Sequence, residues 1–131
     1  MSFETGGIME NLQRIIIAGK TYPFKIDLNV LEYIQNEYGT IHEFEREIMG
    51  VHYERNMDGG YVMTITEPSI RAIKTVLPAA INEGLAIEAD EVNRPLERLE
   101  PEFIFRNCTI PYRLLGTMLH EEFKRCFVTK K

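Results

Sequence analysis

The chain has few of the side chains that bind metals or act as nucleophiles. Its 131 residues include only two cysteines and three histidines. Cys108 and Cys126 have no CxxC spacing and are too few for a disulfide framework, so we expect buried free thiols and a reducing compartment. No His-x-x-x-His pair exists to hold zinc from one helix face. We therefore interpret His42, His52 and His120 as surface residues of acidic helices.

Phosphate-binding loops, membrane spans and an excess of positive charge are also missing. Gly59-Gly60 is not followed by the Lys-Ser or Lys-Thr of a P-loop. No segment approaches the roughly twenty apolar residues of a membrane span, and residues 1–10 lack the pattern of a signal peptide. The net charge of −5 argues against a nucleic-acid partner, because proteins that bind nucleic acids need a surplus of Lys and Arg to neutralise phosphates. We predict no cofactor, no nucleic acid and no membrane partner.

The one local arrangement for nucleophilic catalysis is Cys126 with His120. These residues are six positions apart and do not share a helix face, and a cysteine between Phe123 and Phe127 is more often an inert core thiol. We predict no catalytic residue and no metal ligand, and we interpret the protein as a non-enzyme. An enzyme is the weakest alternative, because it would need a deep pocket with perturbed carboxylates.

Residues 14–50 predict a hairpin followed by two helices. β-branched and aromatic residues stand on both sides of a turn at Gly19, which predicts two short strands. Asp27 is a suitable N-cap for the first helix. Apolar residues then recur at helical spacing until Gly39, which offers a left-handed C-cap.

The second of these helices is predicted from a capping box. Thr40 and Glu43 can each bind the other's free backbone N–H, and Gly50 supplies the stop. The following residues 51–65 alternate between polar and apolar side chains around a turn-forming cluster at residues 56–60. A second hairpin and a disordered insertion both fit this segment.

A long amphipathic helix is predicted next. Thr66-Glu67-Pro68 is a favourable start and Gly84 a suitable stop. Its apolar stripe consists of Ile70, Ile73, Leu77 and Ile81. Pro78 predicts a kink near Lys74 to Pro78, because proline removes a backbone hydrogen bond within a helix. Asp90 is predicted to cap a short acidic helix, which Pro95 bends or restarts.

Two further helices are predicted, over residues 101–106 and 110–127. The apolar stripe of the last helix consists of Tyr112, Leu115, Leu119 and Phe123. This stripe fits a partner groove or the domain's own core, and we interpret it as core because a small domain needs it. Gly116 in the same helix predicts a close contact with another helix. The predicted fold class is mainly α (α+β), a small helical bundle with one or two short β-hairpins at its N-terminal end or edge.

The length predicts one domain, with residues 1–10 as a flexible N-terminal tail and residues 11–131 as the single domain. Two acidic clusters fit either a patch for a basic partner or ordinary solvated helix faces, and we interpret them as solvated faces. The clusters are Glu43, Glu45 and Glu47, and Glu83, Glu88, Asp90 and Glu91.

Two blocks of this sequence resemble the tail assembly chaperones of long-tailed bacteriophages and prophages. The first block is a brief extended segment, a Gly-Lys turn and a helix closed by Tyr-Gly. Its matching positions are Gly19, Lys20, Tyr22, Asn29, Leu31, Ile34, Tyr38, Gly39, Thr40, Phe44 and Glu45. The second block, residues 70–84, resembles the family's second long helix and its closing Asn-Glu-Gly. Together the blocks cover somewhat less than half of the chain, and none of their positions is a catalytic signature.

The resemblance implies a non-enzymatic chaperone with one domain over residues 11–131. Several copies would bind the aggregation-prone tape measure protein in the host bacterial cytoplasm, keep it soluble and help to recruit the tail tube protein. The chaperone would then be released and would not remain in the mature virion. The alternative is a small structural virion subunit, either a head–tail completion or a tail terminator protein. The partner-contacting residues are not assigned, and the oligomeric state stays open, with a homo-oligomer as one option.

Overall fold

The computed structural model describes residues 12–128. Its elements, in chain order, are β1 (Gln13–Ile17), β2 (Lys20–Phe24), α1 (Leu28–Tyr38), α2 (Ile41–Met49), β3 (Val51–Arg55), β4 (Tyr61–Ile65), α3 (Ile70–Glu91), α4 (Pro101–Asn107), α5 (Tyr112–Lys124) and a terminal 3₁₀ turn (Arg125–Phe127). The predicted fold class, mainly helical with small antiparallel hairpins, is confirmed. The flexible tail predicted over residues 1–10 lies outside the described residues.

The first hairpin, β1–β2, packs against α3. Its two loop residues, Ala18 and Gly19, have φ angles of 53° and 76°, and positive φ at both loop positions matches the twist of the flanking strands. The backbone N–H of Lys25 donates to the carbonyl of Ala80 at 3.0 Å. The buried side chains of this hairpin are Ile15, Ile17, Tyr22, Pro23 and Phe24. The hairpin therefore forms one wall of the core.

The helix ends of α1 and α2 follow the predicted caps with one exception. Asp27 accepts the backbone N–H of the third residue of α1 at 3.2 Å, and Gly39 ends that helix with a φ of 82°. Thr40 accepts the backbone N–H of Glu43 at 3.1 Å. The carboxylate of Glu43, however, binds the guanidinium of Arg46 at 2.6 Å instead of completing the capping box. A charged donor one turn along the helix is the stronger partner.

α3 begins and ends later than predicted. Ser69 is its N-cap, whereas the N–H and hydroxyl of Thr66 donate to the carbonyl of Gly50 at 2.8 and 3.2 Å. The predicted stop at Gly84 is wrong, because the helix continues past it. A Cβ atom at Gly84 would lie 2.7 Å from the carbonyl carbon of Pro23. This glycine is therefore needed where β2 packs closely on the helix, and packing outweighs its low helix propensity.

The short acidic helix predicted to start at Asp90 is also wrong. Asp90 lies in the last turn of α3, and residues 92–100 form an irregular segment. The carboxylate of Glu88 is buried and binds Arg14 at 2.8 Å and Arg94 at 2.7 Å. This pairing holds the irregular segment against the end of α3, so the chain folds back instead of starting a new helix.

The terminal helix α5 packs against α2 and α3. Its buried apolar side chains are Leu115, Leu119 and Phe123, which confirms their interpretation as core, while Tyr112 is only partly buried. A Cβ atom at Gly116 would lie 2.7 Å from the ring of Pro68, so the closest contact is made with the loop before α3, and the carbonyl oxygen of Ile48 in α2 would lie 3.6 Å away. α3 passes Pro78 as one helix, and the kink there stays a prediction.

Candidate partner-binding hairpin

The second hairpin of the chain occupies residues 51–65, where a disordered insertion was the alternative. All five residues of β3 pair with β4 in antiparallel register. The turn is closed by the N–H of Asn56, which donates to the carbonyl of Gly60 at 2.7 Å. The side chain of Asp58 accepts the N–H of Gly60 at 3.1 Å. The turn-forming residues therefore act as their chemistry predicts.

Within residues 12–128, this hairpin is attached to the rest of the domain only at its base. Val51 is buried, and its carbonyl accepts from Arg46 at 3.4 Å. Gly50 has a φ of 72°, and a Cβ atom there would lie 2.5 Å from the carbonyl oxygen of Glu67. Only glycine therefore fits at the point where the hairpin leaves α2. All five residues of β4 are exposed, so the rest of the hairpin is an arm in solvent.

The two faces of the arm differ in chemistry, because side chains alternate along a strand. The outward residues of one face are Tyr53, Arg55, Tyr61, Met63 and Ile65. The other face carries His52, Glu54, Val62 and Thr64. The large apolar side chains of the first face are exposed to 55% for Tyr53, 68% for Tyr61, 54% for Met63 and 65% for Ile65. We call these four side chains the apolar ribbon face.

Exposure of the apolar ribbon face to water is unfavourable for a two-stranded hairpin. Full burial of one large apolar side chain stabilises by roughly 1.5–3 kcal/mol, and an isolated two-stranded hairpin is at best marginally stable. Single exposed apolar residues are ordinary, whereas four large ones share one face of this arm. These four side chains therefore form a candidate interaction surface.

The edges of the arm are open as well. Within residues 12–128, β3 and β4 pair only with each other. An open strand edge presents unpaired backbone N–H and C=O groups that can add a further strand. The open edges are therefore a second feature that makes this arm a candidate interaction surface.

The three histidines do not converge on a site. His42 and His52 are exposed, and His52 lies on β3 and not on an acidic helix as predicted. His120 is partly buried, and its Nε2 lies 3.0 Å from a carboxylate oxygen of Glu45. Its ring also stacks on Phe123, with 6.3 Å between the ring centroids. The interpretation as surface histidines of helices therefore holds only for His42.

Cys126 and His120 have different partners. The Sγ of Cys126 donates to the carbonyl of Ile26 at 3.2 Å. Burial raises the pKa of the Cys126 thiol, and the nearby Glu122 carboxylate raises it further. A raised pKa leaves less thiolate, so this sulfur is a poor nucleophile. Cys108 and Cys126 are both free, as predicted, but they are only partly buried.

Most acids of the two predicted acidic clusters form ion pairs or hydrogen bonds with other residues of the domain. The three acids of α2 contact Arg46, His120 and Arg71 respectively. Glu47 also accepts a hydrogen bond from Tyr38 at 3.1 Å. Burial, together with this carboxylate, raises the pKa of Tyr38 to about 12. Glu88 is buried, so its interpretation as part of a solvated face is wrong, while Asp90 is exposed.

Glu122 is a buried acid that the sequence pattern does not reveal. Its side chain is fully buried, with Lys25 at 3.7 Å and Arg125 at 3.1 Å. The N–H of Ile26 donates to it at 3.4 Å. Burial raises the pKa of Glu122, and the Ile26 N–H and the two cations oppose that rise. These contacts join the end of α5 to the loop before α1, so the group has a structural use.

The described part of the chain offers little else for chemistry. It contains no group of three or more His, Cys, Asp or Glu side chains arranged to hold a metal ion. None of the helices in residues 12–128 is long and apolar enough to cross a membrane.

Comparisons with protein-family models, curated proteins and solved structures gave no match.

Proposed function

We propose that this protein is a non-enzymatic phage tail assembly chaperone that binds the tape measure protein and assists tail tube assembly in the host bacterial cytoplasm. The observation that carries the proposal is the apolar ribbon face, which lies in solvent on an arm anchored to a packed domain. A client without a folded core exposes apolar surface that must be covered to stay soluble. An exposed apolar face on the chaperone supplies that cover.

The resemblance to the tail assembly chaperones supports the same proposal. Its matching positions belong to the scaffold, where Gly19 forms the turn of β1–β2, Gly39 ends α1 and Phe44 is buried. The arm at residues 51–65 lies between the two matching blocks. We infer a division in which the scaffold is shared with the family and the arm contacts the client.

The size of the arm favours many weak contacts over one strong contact. A two-stranded face five residues long measures about 17 Å by about 10 Å, which is on the order of 170 Å². A stable interface buries roughly 800 Å² on each partner. One ribbon face is therefore too small to hold a stable complex between a single copy and the client. Several copies along one long client would gain avidity from their high effective concentration. The net charge of −5 would keep such complexes dispersed.

Co-expression with the tape measure protein of the same genome tests the proposal. The soluble yield of the tape measure protein should rise, and the two proteins should purify together. Unchanged yield without co-purification would refute the proposal.

A pair of arm variants tests the surface itself. Tyr61→Thr combined with Met63→Thr makes the apolar ribbon face more polar and places β-branched threonines, which favour strands, at both positions. This variant should lose co-purification with the tape measure protein. Val62→Thr, on the opposite face of the same strand, is the matched control and should retain it. If both variants lose co-purification equally, the apolar ribbon face is not the specific contact surface for the tape measure protein.

Purified particles separate the chaperone from a structural virion subunit. A chaperone is released before the tail is complete, so mass spectrometry of mature virions should not detect it. A fixed number of copies in each particle would instead favour the head–tail completion or tail terminator protein.

A further inference from the structure

A groove between α1, α3 and α4 has a chemistry different from that of the arm. It has a volume of about 860 Å³ and is lined by residues of these helices and of the segment before α4. Pro78 and Ala79 line it together with the rings of Tyr33 and Phe105. No residue of β3 or β4 contributes to it. The groove is therefore a second surface that can accept an apolar side chain.

One wall of the groove is held in place by Asn82. The amide of Asn82 is buried, its oxygen accepts the N–H of Leu99 at 2.8 Å, and its nitrogen donates to the carbonyl of Leu99 at 3.0 Å. Two hydrogen bonds to one residue fix the irregular segment 92–100 against α3. Arg98, which precedes Leu99 in the chain, is thereby positioned beside the groove. A preorganised wall lowers the entropy cost of binding.

The charge of the groove is opposite to that of the protein. Three cations and a single carboxylate line it, although the net charge of the chain is −5. The Nζ of Lys74 lies 4.8 Å from the ring centroid of Phe105, and Arg71 binds Glu47 at 3.1 Å. Among residues 12–128, neither Lys74 nor Arg98 forms an ion pair with a carboxylate. These two cations can therefore meet charges from outside the domain.

We propose that this groove binds a peptide segment in which acidic side chains flank one large apolar residue. The apolar residue would lie on Pro78 and Ala79 between the rings of Tyr33 and Phe105. Carboxylates on either side would meet Lys74 and Arg98. The rest of this acidic protein repels such a segment, so the local reversal of charge selects the groove. The proposal goes beyond the chaperone function, because the groove shares no residue with the arm.

Fluorescence anisotropy with two labelled peptides tests the groove. The first peptide, about 15 residues long, carries glutamates around a central leucine and phenylalanine, and the second has lysines in place of the glutamates. The acidic peptide should bind, more weakly as salt rises, and the basic peptide should not. Lys74→Glu combined with Arg98→Glu should weaken binding about 10-fold or more.

Two controls separate the groove from general charge attraction. Arg106→Glu combined with Lys124→Glu changes the net charge equally at exposed positions outside the groove and should leave the affinity within about 2-fold. A peptide with serines in place of its leucine and phenylalanine should bind about 10-fold more weakly. Circular dichroism checks that each variant is folded. The inference is overturned if neither peptide binds, if both bind equally, or if the control variant loses as much affinity as the groove variant.

Discussion

The two hairpins of this protein have strands of equal length and the same antiparallel pairing. The side chains of β1–β2 at Ile15, Ile17, Tyr22 and Phe24 are buried, whereas those of the apolar ribbon face are exposed. The difference lies in what each hairpin meets. The first hairpin packs on α3, and Gly84 allows the close approach. Among the described residues, the second hairpin is held at Val51 and its neighbours.

The comparison shows that a hairpin needs a partner surface to bury its apolar face. The long helix α3 provides that surface for β1–β2 from within the chain. For β3–β4 no such surface is provided within residues 12–128 beyond the base of the hairpin, and under our proposal it comes from the tape measure protein. The predictions below would break or sharpen this contrast.

The largest effect is expected from truncating a buried side chain of the first hairpin. Phe24→Ala should lower the free energy of unfolding by about 3–5 kcal/mol, because it leaves a cavity between β2 and the core. Met63→Ala in the second hairpin should change it by less than about 0.5 kcal/mol. Urea denaturation of both variants measures the difference. Similar losses would mean that β3–β4 is packed in solution.

A smaller loss is expected at the contact between β2 and α3. Gly84→Ala places a methyl group 2.7 Å from the backbone of Pro23 and should cost about 2 kcal/mol. Gly60→Ala is the control, because the nearest atom to its added methyl group would be a side-chain oxygen at 3.5 Å. Thermal unfolding should show a clear drop only for Gly84→Ala. A more stable Gly84→Ala, as helix propensity alone predicts, would contradict the close packing.

Glu122 should make the packed half of the molecule sensitive to pH. Its pKa is raised above the ordinary 4.5, so above pH 4.5 the folded state holds the proton more tightly than the unfolded chain does. The free energy of unfolding should therefore fall as pH rises from the ordinary pKa of a glutamate to the raised pKa of Glu122 in the folded protein. Glu122→Gln removes this titration. From about pH 4 to about pH 7, its stability relative to the wild type should rise.

Glu121→Gln, at the exposed neighbouring position, controls for the lost charge in that series. Chemical denaturation across the pH range is the measurement. A Glu122→Gln variant whose relative stability falls as pH rises would mean that the cations around Glu122 outweigh its burial.

The smallest effect on stability is expected from changing the arm. Tyr61→Thr with Met63→Thr should alter the free energy of unfolding by less than about 0.5 kcal/mol, because both side chains are already in solvent. Scanning calorimetry of this variant and of Val62→Thr measures the change. A loss above about 2 kcal/mol would show that the ribbon face supports the fold, and the binding test would then need a different variant.

Much of the fold was predictable from local chemistry. Asp27 and Thr40 accept backbone N–H groups near the start of their helices, and Gly39 and Gly50 end them, because these roles depend on neighbouring residues. The turn-forming cluster of residues 56–60 also indicated the second hairpin, but it left a disordered insertion as the alternative. The start and the length of α3 were not predictable, because Thr66 is used at the hairpin base and Gly84 at a contact with β2.

The candidate binding surface was visible only in part. The alternating pattern of residues 51–65 indicates a hairpin with one apolar face, but such a pattern normally means that the face is buried. Which acids lie on the surface was equally hidden. Glu88 and Glu122 each have one cation nearby in sequence, but they also contact cations that are distant in sequence, Arg14 and Lys25 respectively.

Short-range rules therefore account for the strands, the turns and most of the helix caps, because each depends on a few adjacent residues. Three-dimensional packing decided which hairpin is covered by α3, why a glycine lies within a continuous helix and which carboxylates leave water. These outcomes depend on contacts between residues far apart in the chain. No periodicity within a single segment contains that information.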